Sequence, residues 1–513
     1  MSRPISYSNI LLAFGAIYLF FPRRATPLNL PYVKFDGDNS ASRYRAESES
    51  LLRKGYAQYS SKGLPFSMRD PNDAERPMVV LPVKYLEEIK WIPENRISFW
   101  KHIDKQSILT QIGGPGLNED CALAARQGLN QALVYLIEPL QKACAAAYAK
   151  EWPACSEWTS LLPYGLIIKV FASMSACAIV GPELGGLESE WQSLSMNFVA
   201  AALSAPSKVK TKYPRWLYWL SHYTNDGVRA MTKCRIRASE LLTPVLQNRI
   251  DATADLKARG TKKSKGPRKY EDGVQWLLDA HTAHGKDLTP DQLARDLFVI
   301  MTASIHSTSG AGLAILLDML DYPEALSDIK QEIQGVKSRL PGGVWTRRAL
   351  GQLQILDSFM RESARVHALT QYTSVQRIPV SSPWKFKDGL EIPAGTTMVF
   401  PSYHHNFDPS VHLHPDTFDA KRHLRRRHES DTHKFHFASV SDDMLNWGAG
   451  RHSCPGRFFA QETLKLMMIH LLEHYEFRHA EETKEVPRFL SNNLFIIPNP
   501  ALAILFRERR ASP

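Results

Sequence analysis

The sequence predicts a mainly α body of the α+β class, and three observations carry that prediction. From about Glu119 to Leu320 apolar residues recur with helical period. Short β-type runs lie near both ends, among them Met78 to Leu81 between prolines and Met398 to Phe400. The repeated strand–helix alternation of a parallel nucleotide-binding sheet is absent. With 44% hydrophobic and 22% charged residues among 513, the chain has the composition of a folded protein rather than a disordered one.

The first element is an apolar run, Ile10 to Phe21, interrupted only by Tyr18 and followed by Pro22-Arg23-Arg24, Pro27 and Pro31. Counted from Ile5, it is long enough to span a thin bilayer. Phe20-Phe21-Pro22 is a poor cleavage site for a removable signal, and the two arginines keep the following chain cytosolic. Residues 1–30 are therefore expected to form a membrane anchor and proline-rich linker, and residues 31–513 one catalytic body. The alternative is a buried helix of that body. No N-x-S/T sequon occurs, in agreement with a cytosolic face.

The middle of the chain carries helices broken at Pro153, Pro182 to Gly186, Pro206 and Pro214. Phe198 to Leu203 and Trp216 to Leu220 read as helix cores, with an access channel as the alternative. The formal charge is 63 − 52 = +11, but seven of the positive charges crowd between Lys257 and Lys269. That stretch reads as a solvated loop rather than a nucleic-acid surface, and the basic residues near Arg425 to Arg427 likewise read as a solvated loop, with a docking surface as the alternative.

The best-defined helix starts at Thr289 as N-cap, with Pro290 at the first helical position and Gln292 completing a capping box. Leu293, Leu297, Ile300, Met301, Ile305 and Leu313 to Leu320 continue it, and Pro323 stops it. At about 1.5 Å per residue it crosses a whole domain and should be buried. Its centre, Thr302 to Ser309, is nonetheless rich in hydroxyls, which bond back to carbonyls and loosen a helix. The expectation is a helix opened at a reaction centre; the alternative is a polar cluster satisfied inside the core. Beyond Arg377 short strands return at Lys385 to Gly395, Met398 to Phe400, Asn493 to Ile497 and Ala503 to Phe506.

Chemistry concentrates in Trp447-Gly-Ala-Gly-Arg-His-Ser-Cys-Pro-Gly-Arg-Phe-Phe459. The glycines allow a tight turn against something flat. Pro455 suits the first position of a helix reaching Leu472, which makes Cys454 its N-cap, where amides and the helix dipole favour a thiolate. A thiolate in such a loop is what a metal needs as an axial ligand. None of the six cysteines forms a C-x-x-C pair, and the chain is no disulfide scaffold. Nine of the 18 histidines fall between His404 and His452, but no zinc-ligand spacing repeats there. A dinucleotide loop at Gly448-x-Gly450 fails because Ser453 stands at the third glycine position.

This stretch resembles the haem loop of the cytochrome P-450 monooxygenases, Phe-Gly-x-Gly-x-Arg/His-x-Cys-x-Gly, at Gly448, Gly450, His452, Cys454 and Gly456, with Trp447 for the usual Phe. Glu362-Ser-Ala-Arg365 resembles the family's Glu-x-x-Arg pair, and Phe418 and Arg422 resemble its third partner, with Ala420 for the usual second proline. The resemblance implies that these side chains form a structural network holding the haem loop.

Ala303 to Thr308 is similar to the family's proton-delivery segment, with Ser304, His306 and Ser307 in place of glycine, acid and threonine. It implies catalytic roles for His306, Ser307 and Thr308, with either hydroxyl as the principal donor. For the haem propionates it implies Arg126, Arg377 and His452, with Ala122 where the Trp-x-x-x-Arg pattern has tryptophan. Heme b with Cys454 as axial iron ligand follows, reduced by NADPH-cytochrome P-450 reductase with cytochrome b5 as a further donor. The implied reaction inserts oxygen from O2 into a C–H bond.

Similarity to fungal terpenoid-oxidising members implies a hydrophobic polycyclic substrate, a diterpenoid, indole-diterpene or meroterpenoid, and an endoplasmic reticulum membrane location. The alternatives are an alkaloid or polyketide substrate, a non-oxygenating rearrangement and a non-enzymatic metal-binding membrane protein. No nucleic-acid partner is expected.

Overall fold

A computed structural model of the chain describes residues 28–186, 189–258, 270–367, 372–430, 433–483, 485–492 and 494–509. The anchor expected at the N-terminus lies outside the described residues, as does most of the basic stretch after Lys257.

Near the N-terminus strands β1 (Phe66–Asp70), β2 (Asp73–Val80) and β3 (Ile97–Ser98) are followed by helix α1 (Trp100–Ser107). The helical body comprises α2 (Asn130–Glu151), α3 (Pro163–Ile179), α4 (Glu190–Lys212), α5 (Asp226–Ala258), α6 (Pro290–Asp321) and α7 (Gln354–His367). Strands β4 (Ser374–Pro379) and β5 (Met398–Phe400) come next, then α8 (Arg422–Glu429) and α9 (Arg457–His474). The five strands join in the order β1-β2-β5-β4-β3, with β2 and β5 parallel and the other pairs antiparallel. Alternation along β2 sends Val79 to one buried cluster with Met398 and Phe400, and Met78 and Val80 to another with Leu51 and Phe66. Both faces of this sheet are therefore covered, and its β3–β4 edge is fixed in place.

Helix α6 is the axis of the helical body and packs against α3, α5, α7 and α9. It is also the one described helix long and apolar enough to cross a membrane. Leu293, Leu297, Phe298, Met301 and Ile305 lie in the main core, where full burial contributes about 1.5–3 kcal/mol for each large apolar side chain. Thr289 caps it as expected, its hydroxyl accepting from Gln292 N at 3.2 Å. The reciprocal half of the capping box is not formed: the Gln292 amide donates to Asp296 Oδ1 at 2.9 Å, one turn on.

The expected opening of α6 is corrected too, because the helix is continuous from Pro290 to Asp321. Thr302, Ser307 and Ser309 donate to the carbonyls of Phe298, Ala303 and Ile305, and Ser304 to that of Met301, at 2.7 to 3.1 Å. Each hydroxyl is satisfied without displacing a backbone bond.

Three further expectations change. Pro206 does not break a helix but sits buried inside α4, where packing outweighs one missing N–H. Trp216 to Leu220 is not core: it is a 3₁₀ segment without a buried residue, and its i, i+3 geometry puts Trp216 and Trp219 on one exposed side. Arg425 to Arg427, read from sequence as a solvated loop, belong to α8, with Arg427 buried against Asp357 at 3.4 Å and Arg426 paired with Asp443 at 2.6 Å.

Candidate functional site

A cavity of about 230 Å³ lies between the middle of α6 and the Cys454 loop. One wall is Val299, Ile300, Ala303, Ser304, Ser307, Thr308 and Ala311 of α6; facing it are Trp447 and Arg451 to Gly456 with Phe459 and Leu464 of α9. A third side comes from Leu117 to Arg126, and a fourth from Glu94, Phe99 and Trp100.

The loop is closed by a bond from Cys454 N to Trp447 O at 2.7 Å, and the Trp447 indole N–H donates to Phe437 O at 2.6 Å. Gly450 has φ 61°, and a Cβ there would sit 2.0 Å from Lys90 O. No other residue fits that position. Gly456, not Cys454, caps α9, and Arg457 rather than Pro455 opens it. The amides of Gly456 and Arg457 still lie where they favour a negative charge on the Cys454 sulfur. Burial pushes the thiol up, while those amides and the Arg457 charge pull the other way. Coordination to a metal deprotonates such a thiol outright. Cys121 also lines the cavity, but its thiol donates to Asp296 O at 3.8 Å, and burial next to Asp296 holds it well above the ordinary range.

The loop rests on α7. Arg365 donates to both oxygens of Glu362 at 2.8 and 3.0 Å, to Asn406 O and Pro415 O at 2.9 and 2.8 Å, and to Thr417 O. Arg422 Nε meets the same carboxylate at 3.0 Å and His423 Nε2 at 3.1 Å. A second network, not seen in the sequence, sits one turn earlier. Arg361 donates to His436 O and Ser441 Oγ, Asp357 accepts from Phe437 N, and Lys465 of α9 pairs with Asp357 at 3.2 Å. Its signal was present in the i, i+4 spacing of Asp357 and Arg361, though nothing in the sequence names their distant partners.

The polar residues expected around a cofactor fall out differently from one another. Ser307 and Thr308 line the cavity; His306 does not, and burial lowers its pKa. Arg126 lines the cavity from a π-helical segment, Ala124–Leu129; its Nε donates to Ala122 O at 3.3 Å, and it has no acidic partner among the described residues. Such segments frequently mark functional sites. Arg377, in β4 beside a bulge where Val375 has φ 49°, is buried and packs 5.3 Å over the Phe99 ring. Its Nη1 donates to Gln376 O, its Nη2 has no partner, and burial pushes its pKa down to about 10.

His452 lines the cavity but is not a free cation: its Nε2 stands 2.8 Å from Glu94 Oε1, off the ring N–H axis. Burial raises the Glu94 pKa, but the nearby His452 and hydrogen bonds from Ser98 Oγ and Phe99 N outweigh it, and the carboxyl ends below its ordinary range. Glu94 was missed from sequence because its partner lies over 300 positions away. No cluster of three or more His, Cys, Asp and Glu able to hold a metal ion occurs among the described residues.

A flat dianionic macrocycle with a metal centre fits these walls. Cys454 lines the cavity, nothing lies within 4 Å of where a Gly456 Cβ would stand, the buried Arg377 has an orphaned Nη2, and Arg126 on the cavity wall adds a second positive charge for two carboxylates.

Known proteins agree with this geometry. The family model described as Cytochrome P450 matches residues 125–506. The chain is 34% identical over 514 residues to Cytochrome P450 monooxygenase cheE of Chaetomium globosum, covering 99% of this chain and 97% of that protein. It is 37% identical over 459 residues to Cytochrome P450 monooxygenase CYP2 of Pyricularia oryzae, covering 88% and 91%. It is 32% identical over 482 residues to Pyrichalasin C-7 hydroxylase of Pyricularia grisea, covering 93% and 92%. Among solved structures, retinoic acid bound cyanobacterial CYP120A1 shares the fold with a TM-score of 0.65 at 14% identity, covering 94% of this chain and 100% of that one.

Proposed function

The chain belongs to the cytochrome P450 family, and from that premise we propose that it hydroxylates a defined carbon of a hydrophobic polycyclic secondary metabolite. It is a monooxygenase similar to those of fungal secondary metabolism, with haem held by a cysteine thiolate and a small-molecule substrate. Bound haem supplies the activation of O2 for oxygen insertion. Cys454 is the thiolate in this reading, supported by its place opposite α6 and by the amides of Gly456 and Arg457, which favour its negative charge. Arg126 and Arg377 neutralise the propionates, with His452 held near them by Glu94.

Proton delivery falls to Ser307 and Thr308, the hydroxyls on the cavity wall, with His306 set back behind them. Ser307 already donates to Ala303 O at 2.9 Å and keeps lone pairs free to accept a proton from the cavity side. Replacing both Ser307 and Thr308 by alanine is expected to lower product formed per NADPH oxidised by about tenfold or more, since positioned proton transfer contributes about 10²–10⁴ in rate. Coupling measured by NADPH consumption against product checks this; unchanged coupling would place the proton route elsewhere.

For the substrate, the relative named for pyrichalasin C-7 hydroxylation supports a pyrichalasin-like compound. The second reading is a terpenoid, supported by the similarity of Ile305 to Ser309 to terpenoid-oxidising members. The electron donor in either case is NADPH-cytochrome P-450 reductase, with cytochrome b5 as a further donor, at the endoplasmic reticulum membrane. Microsomes carrying the chain and a reductase, fed each substrate class under heavy-oxygen O2, are expected to yield a product heavier by one labelled oxygen. Product whose oxygen comes from water, or conversion without O2, would contradict the reading.

A further inference from the structure

We propose that Trp100 donates its indole N–H to a haem propionate, from an element other than the one that carries tryptophan in the Trp-x-x-x-Arg pattern. Ala122 stands four residues before Arg126, on the same helical face, and both line the cavity. A methyl group there leaves one hydrogen-bond donor missing and the space of an indole open. Trp100, the first residue of α1, lines the same cavity.

The position of Trp100 is fixed from three sides. Ser98 pairs with Ile378 across β3 and β4, and its hydroxyl accepts from Lys101 N at 2.9 Å. Glu94 accepts from Ser98 Oγ at 2.6 Å and from Phe99 N at 2.8 Å. Phe99 then lies against both Arg377 and His452, and the Trp100 ring meets His452 edge-on at 6.1 Å. The backbone on either side of Trp100 is thus held by Glu94 and Ser98, and its ring lies against His452.

The charge pattern identifies the acceptor. An indole is a donor only, and one with an apolar body held against a protein wall usually finds a partner. The Trp100 N–H has none among the described residues. Its neighbours are also donors: Arg126, Arg451 and the orphaned Arg377 Nη2. The nearby acid, Glu94, is already engaged by His452, Ser98 and Phe99. Trp100, Arg126 and Arg451 line one cavity, the buried Arg377 packs over the adjacent Phe99, and a carboxylate of the macrocycle is the acceptor that suits these donors.

The test is haem transfer from the holoenzyme to apomyoglobin, for wild type, W100F and W100H, each loaded with free-acid haem or with its dimethyl ester. W100F keeps an aromatic ring and loses the N–H; W100H keeps a ring N–H. With free-acid haem, W100F is expected to release about tenfold faster than wild type, as for loss of one hydrogen bond to a charged group, and W100H to stay within about threefold. With the ester, wild type and W100F should release within about twofold of each other. Equal release by W100F and wild type with free-acid haem, equal acceleration with both haems, or equally fast release by W100F and W100H would each overturn the assignment.

Discussion

Replacing Cys454 by alanine is expected to abolish both turnover and the thiolate-type carbon monoxide difference spectrum of the reduced protein. Cys454 lies opposite the Ser307 wall of the cavity, and a thiolate is the iron ligand of this family's haem. The amides of Gly456 and Arg457, which favour the thiolate, have no charge left to stabilise when it is removed. The loop itself should survive, because its closure runs through backbone atoms, Cys454 N to Trp447 O, and through the Trp447 indole. Cys121 is the control: it lines the same cavity, yet its thiol faces a backbone carbonyl of α6, and Cys121→Ala should leave the spectrum intact. An unchanged spectrum in the Cys454 variant, or a lost one in the Cys121 variant, would transfer the ligand role.

The second large effect is structural. Arg365→Ala is expected to destabilise the protein by about 3–5 kcal/mol, the range for breaking a buried ion pair. That is a large part of the about 5–15 kcal/mol that holds a typical domain folded. The reason is the number of groups left stranded: Glu362 keeps only Arg422, His423 and the amide of Asp419, while Asn406 O and Pro415 O lose their donor. Chemical denaturation followed by haem absorbance reads the loss, and a change under about 1 kcal/mol would mean that the network is not under load.

The same network sets an acid limit. Burial raises the Glu362 pKa, but hydrogen bonds from His423 and Arg365, with the Arg365 charge, win and hold the carboxyl well below its ordinary range. Its stabilisation is complete above the unfolded carboxylate pKa of 4.5 and declines as pH falls below that. His423, pushed down to about 3 by burial, stays neutral when folded but takes a proton when unfolded below 6.5. Stability should therefore begin to fall below pH 6.5 and fall more steeply below 4.5.

What was legible in the sequence was whatever a short window contains. The Cys454 loop is one unbroken segment whose glycines, cysteine and following helix define each other. Glu362 and Arg365 share a helix face at three residues' spacing, and Arg422 follows once a third partner is sought. Met398 to Phe400 was readable as a strand because turn residues bound a short β-branched and apolar run. The illegible parts depend on distance or on competition between neighbours.

Glu94 and His452 meet only because β3 and β4 pair, so no window holds both. The hydroxyls of α6 had two outcomes open to them, bonding back or opening the helix, and sequence weighs neither; the packing of α3, α5, α7 and α9 around α6 keeps it closed. Trp216 and Trp219 looked like core because apolar content was read with a helical period, and a 3₁₀ segment changes that period. Arg427 looked solvated because Asp357, which buries it, lies 70 positions earlier in the chain.

The most direct measurement is a resonance Raman spectrum of the ferric full-length protein, prepared once with ordinary cysteine and once with cysteine carrying a heavy sulfur isotope. A metal–sulfur stretching band that moves to lower frequency with the heavy isotope, and is missing from Cys454→Ala, is the result expected if that side chain holds the iron. Spectra from the two preparations that coincide throughout would contradict it.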